Sequence, residues 1–98
     1  MLKVLALFPN TLDPALVEDI LSKIVTAFKG VDGLLSLKTS EGNVMSPGGP
    51  PLYSKVFEAS FVSLEAFMAW VETPAAKAQN DMFVEHGIVR LFYEENEL

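Results

Sequence analysis

Apolar and polar positions alternate along this chain with two different periods, and the changes of period mark out its elements. Leu2 to Phe8 is an almost unbroken apolar run stopped by Pro9 and Asn10, which predicts a first strand. Asp13 then offers a capping oxygen, and Pro14 suits the first helical position. Val17, Ile20, Leu21, Ile24 and Phe28 recur at helical spacing, with Glu18, Asp19, Ser22, Lys23 and Lys29 on the other side, until Gly30 ends the helix. Leu34 to Ser40 predicts a second strand. The following EGNVMSPGGPP is too rich in Gly and Pro for regular structure and predicts an exposed loop. Tyr53 to Val62 predicts a third strand. Ser63 caps the next helix, Val62 and Phe67 are placed as a hydrophobic staple, and Leu64, Phe67, Met68 and Val71 form its buried stripe.

The stretch WVETPAAKAQN interrupts that helix. Pro74 has no backbone N–H and pushes Thr73 out of the helical region, so Thr73 can cap a fresh helix starting at Pro74. Ala75, Ala78 and Met82 share one face of it, Gly87 ends it, and Ile88 to Glu94 predicts the last strand. The order is β-α-β-β-α-β with a broken second helix. It predicts an α+β, ferredoxin-like fold over residues 1–98 as a single domain: a four-stranded antiparallel sheet with the helices on one face.

The strands carry a second message. In a sheet covered on one face only, apolar and polar residues alternate cleanly. Here the first strand is apolar on both sides, with Val4, Ala6 and Phe8 on one and Leu5 and Leu7 on the other. The last strand sets Val89, Leu91 and Tyr93 against Ile88 and Phe92. Apolar residues on both faces imply cover on both, and the simplest cover is a second copy packed sheet to sheet, burying ~2,000 Å² or more. The alternative is a monomer with an unusually apolar sheet. In the third strand Phe57, Ala59 and Phe61 suit the helices, while Val56, Glu58 and Ser60 point oppositely; Ser36 and Lys38 fit that second side. Arg90, between Ile88 and Phe92, reads as sharing it. Glu58 and Arg90 would then be either the polar groups of an apolar ligand pocket or an ion pair that fixes register.

Composition narrows the function classes. A net charge of −6, with seven Lys and Arg scattered along the chain, argues against nucleic acid, which needs a cationic face. The absence of cysteine removes disulfides and thiolate chemistry and suits a cytoplasmic protein. No apolar stretch approaches the ~18 residues of a membrane span, and Pro9 cuts the first run too short for a secretory leader. No Ser-His-Asp arrangement, phosphate loop or dinucleotide fingerprint is present.

The run SPGGPPLYSKVFEASFVSLEAF and the WVETPAAKAQN segment resemble the dimeric α+β barrel superfamily. Within it, the third strand and its Gly-Pro loop look most like the EthD-like family, named for ethyl tert-butyl ether degradation. The WVETPAAKA turn is similar to the antibiotic-biosynthesis monooxygenases, in which a Trp precedes such a helix restart. The resemblance implies a homodimer whose half-barrels each enclose a hydrophobic cavity for a small organic molecule. Two departures bear on catalysis. Haem-degrading relatives pair an Asn after the first strand with a Trp and a His; Asn10 and Trp70 match, but Asn80 stands at the His position. EthD-like proteins also commonly carry a His in the first helix, and EDILSKIVTAF has none. No cofactor, no metal and no tight haem binding are therefore expected.

The candidate ligand-binding residues are Glu58, Arg90, Asn10, Trp70 and His86. Trp70 serves as either a cavity wall or core beside Phe67 and Val71. His86, the sole histidine, could act as a general base or metal ligand, but a capping or surface role suits its place beside Gly87. Asn10 has turn chemistry as its alternative. Three readings follow: a small-molecule-binding dimer auxiliary to oxidative degradation, a cofactor-independent monooxygenase or isomerase acting on an aromatic or lactone substrate, and a regulatory or structural dimer without ligand.

Overall fold

A computed structural model describes residues 1–98. Its elements are β1 (Leu2–Pro9), α1 (Pro14–Ala27), β2 (Leu34–Thr39), β3 (Tyr53–Phe61), α2 (Leu64–Val71), α3 (Pro74–Glu85) and β4 (Val89–Glu94). The strands form one antiparallel sheet in the order β2-β3-β1-β4, the ferredoxin-like arrangement the sequence predicts. Each helix begins on the residue chosen for it. Asp13 Oδ1 accepts from Ala15 N at 2.8 Å, Ser63 Oγ from Ala66 N at 3.1 Å, and Thr73 Oγ1 from Ala76 N at 3.2 Å.

The Thr-Pro break is a splice between two short helices. Thr73 Oγ1 caps α3 and also donates to Trp70 O at 2.7 Å, while Thr73 N donates to the same carbonyl at 2.9 Å. One side chain thus satisfies the end of α2 and the start of α3, and it fixes the angle between them.

Between sheet and helices lies a core rich in aromatic rings. Phe28 stacks on Trp70 with centroids 4.4 Å apart, and Phe61 meets Phe67 edge-on at 5.4 Å. Leu2, Ala6 and Phe8 of β1 and Phe57, Ala59 and Phe61 of β3 close it from the sheet side. Gly33 lets β2 start hard against α2: with φ +81 it occupies a conformation that favours glycine, and a Cβ there would stand 2.6 Å from Ala66 Cβ.

In α2 the buried residues are Phe67 and Trp70, while Leu64 and Met68 of the expected stripe are exposed. Two further expectations are corrected by the packing. The buried side of α3 is Ala76, Gln79 and Phe83, one step round from Ala75, Ala78 and Met82. That second trio instead lines a shallow gap against Lys23 and Ala27 of α1. The second correction concerns β4. Its register sets Arg90 opposite Ala6 and Phe92 opposite Val4, so both lie on the helix side, whereas Glu58 sits opposite Leu5 on the outer face. Glu58 and Arg90 therefore point away from each other and form no pair.

Candidate functional site

The helices do not cover the sheet evenly. α1 and α2 seal β1 and β3, but every residue of β4 is exposed. Under α3 and the end of α2 this leaves an open cleft of about 830 Å³, whose floor is β1 and β4. Local side-chain size explains the space. Ala6 and Ala76 stand where larger residues would fill it, and Phe28, Phe67, Trp70, Phe83 and Phe92 wall it. The wall is mostly apolar with a few polar groups, the usual makeup of a small-molecule site.

Three polar side chains matter most. Trp70 is 9% exposed and Gln79 7%, and both line the cleft. Trp70 Nε1 and Gln79 Oε1 are buried and have no hydrogen-bond partner, the only such side-chain atoms in the protein. An unmet buried donor or acceptor costs ~1–3 kcal/mol, so two beside one cleft mark where a partner belongs. The third is Arg90, on the β4 rim, whose guanidinium carbon lies 6.0 Å from the Phe83 ring centroid.

Of the residues singled out from the sequence, the cleft brings together Trp70 and Arg90, and Asn80 also lines it. The others lie elsewhere. Asn10 Nδ2 donates to Pro51 O at 2.8 Å and Asn10 N to Leu52 O at 2.9 Å, so it pins the end of the Gly-Pro loop in the manner of a turn residue. His86 is the C-cap of α3, its N–H donating to Met82 O at 3.2 Å while Gly87 N donates to Val84 O at 3.3 Å. Glu58 accepts from Lys3 Nζ at 2.8 Å on the outer face, and the same ammonium donates to the buried Ser60 Oγ at 2.9 Å. The hydrogen bond that Lys3 donates to Glu58, reinforced by the carboxylate's charge and against a smaller desolvation cost, raises the Lys3 pKa above the ordinary lysine value. Gln79 escaped sequence reading because it is polar, yet it falls between Ala76 and Phe83 at helical spacing, and that was its signal. No group of His, Asp and Glu is placed to hold a metal ion, and no helix is long and apolar enough to cross a membrane.

The outer face divides in two. Around Lys3, Glu58, Ser60, Ser36 and Lys38 it is polar; over β1 and β4 it carries Leu5, Leu7, Val89, Leu91 and Tyr93, with Val56 alongside on β3. Leu91 and Tyr93 are about half exposed, at 49% and 50%.

No family model and no curated protein matches the chain. Solved structures do. An ethyl tert-butyl ether degradation (EthD) family protein of Bacillus halodurans superposes with a TM-score of 0.79 at 22% identity, over 98% of this chain and 99% of that one. A cofactor-independent oxygenase of Streptomyces nogalater gives 0.74 at 12% identity, over 99% and 94%. A dimeric ferredoxin-like protein of unknown function from Thermobifida fusca gives 0.70 at 17% identity, over 94% and 88%. The fold is thus the one that EthD and monooxygenase-like proteins share, and the resemblance seen in the sequence is borne out at the level of the fold.

Proposed function

We propose that the protein is a homodimeric small-molecule-binding protein of EthD-like type, holding one small, largely apolar organic molecule per chain in the cleft between α2–α3 and β1–β4. The observation that carries this reading is the pair of buried, unpartnered polar atoms, Trp70 Nε1 and Gln79 Oε1, on side chains that line an open aromatic cleft. A bound molecule with an oxygen acceptor would meet the indole N–H, and its ring system would lie against Phe67 and Phe92. The dimer rests on the apolar half of the outer face, which a second copy would cover, and on the dimeric Thermobifida neighbour.

A thermal screen with aromatic alcohols, lactones, quinones and ethers tests the ligand. A compound that binds the folded form alone adds about 2.7 kcal/mol at a hundredfold excess over its dissociation constant, a melting shift on the order of 10 °C for a chain this size. Glu58→Leu should leave that shift intact, since Glu58 lies on the other face. No shift with any compound overturns the binding reading. Light scattering should give about twice the 10.7 kDa chain mass; a stable monomer overturns the dimer.

A second reading, a cofactor-independent monooxygenase acting on the bound aromatic, is supported by the Streptomyces oxygenase among the neighbours. Turnover of a cleft ligand under oxygen, measured by product analysis without added cofactor, separates it from simple binding.

A further inference from the structure

We infer that the cleft selects aromatic acids, seating the carboxylate on Arg90 while the ring system enters between Phe67, Trp70 and Phe92. The inference rests on the cleft being a ligand site and adds the charge of the ligand. Arg90 is a cation without an anion in a chain that has 13 acidic residues against seven Lys and Arg. The structure's ion pairs are Lys3–Glu58 and Lys23–Asp19, and neither involves it. Glu72 and Asp81 also line the cleft, from α2's C-terminal end and from α3, yet neither pairs with the guanidinium.

The side chain is also oriented. β4 sets Arg90 on the helix side, opposite Ala6, whose single methyl leaves room beside it. Phe83 lies under the guanidinium, so its planar fork is steadied over a ring while its N–H groups stay free to donate. Arginine binds a carboxylate through two parallel hydrogen bonds, which makes an acid a far better partner for it than a neutral carbonyl. Lys77, the other cation lining the cleft, sits on the first turns of α3 across from β4.

The test uses two probes of the same shape, 2-naphthoate and 2-naphthamide, titrated calorimetrically into the wild-type protein, Arg90→Gln and Arg90→Lys. In the wild type the acid should bind at least about tenfold tighter than the amide, the scale of a charge-assisted hydrogen bond. Arg90→Gln should bring the two within about twofold by weakening the acid alone, and Arg90→Lys should retain part of the preference. Arg90 is exposed on an edge strand, so both variants should melt close to the wild type. Equal binding of acid and amide to the wild type overturns the inference and leaves the cleft reading standing. A preference that survives Arg90→Gln also overturns it and points to Lys77. If neither probe binds while a neutral compound shifts melting, the inference falls alone; if nothing binds at all, it falls together with the cleft reading.

Discussion

The two ends of the sheet's helix-covered face are built from similar residues and packed in opposite ways. Over β3 and the middle of β1, Phe57, Ala59 and Phe61 are fully enclosed by α1 and α2, and the rings of Phe28, Phe61, Phe67 and Trp70 fill the space. Over β4, Phe92 is 56% exposed although its ring lies 5.2 Å from Phe67. Aromatic residues therefore serve as core at one end and as an unfilled wall at the other. The difference goes with the break at Thr73, where α2 gives way to α3, and with the small Ala6 and Ala76 that line the cleft. Trp70 stands on the boundary, one face stacked on Phe28 and its N–H without a partner.

The largest effect that separates the two ends is a pair of truncations. Phe28→Ala should lower stability by about 3–5 kcal/mol, because it leaves a cavity among close-packed rings. Phe92→Ala should cost less than about 1 kcal/mol by denaturant unfolding, since that ring is half in water, yet it should weaken ligands of the cleft. Equal losses would mean that the ends are packed alike.

Thr73→Ala comes next. It removes the cap of α3 and the hydroxyl bond to Trp70 O, and should cost about 1–2 kcal/mol. Thr73→Ser, which keeps both bonds, should cost much less. If the two variants unfold alike, the hydroxyl is not what joins the helices.

Trp70→Phe keeps the stacked ring and deletes the unpartnered N–H. Stability should hardly fall, because no hydrogen bond is lost in the free protein. Binding of an oxygen-bearing cleft ligand should weaken about three- to tenfold, the worth of one neutral hydrogen bond. A large loss of stability with unchanged binding would return Trp70 to the core alone.

The smallest effect lies on the outer face. The Lys3 pKa is raised in the fold, so the stability this pairing contributes is full below the ordinary lysine value of ~10.4 and is lost as pH rises through the raised one. The melting difference between wild type and Lys3→Met should therefore narrow in the alkaline range above that value. A constant gap across it would show that Lys3 acts through packing and not through its charge.

The same contrast explains what could be read from the sequence. Caps and periodicity exposed the fold, since Asp13, Ser63, Thr73 and Pro74 are local signals that need no tertiary context. The faces of β4 were not legible. A one-residue change of parity moves every side chain across the sheet, and a strand with apolar residues on both sides does not reveal which side is which. That is why Arg90 was read with Glu58, while the register with Ala6 and Phe57 puts it among the helices. The cleft itself was only half legible: Trp70 stood out as the single tryptophan, but Gln79 is a polar residue in a buried stripe, and only packing shows that it lacks a partner.

One indole resonance tests the central claim most directly, because Trp70 is the only tryptophan in the chain. Its Nε1–H gives a single side-chain cross-peak in a nitrogen-15 correlation spectrum. On adding an oxygen-bearing compound that shifts melting, this peak should move downfield in step with binding as the N–H finds an acceptor, while the amides of Glu18 and Ser22 on the far side of α1 stay in place. An indole peak that does not move at saturation, with shifts confined to other residues, would contradict a ligand site in the cleft.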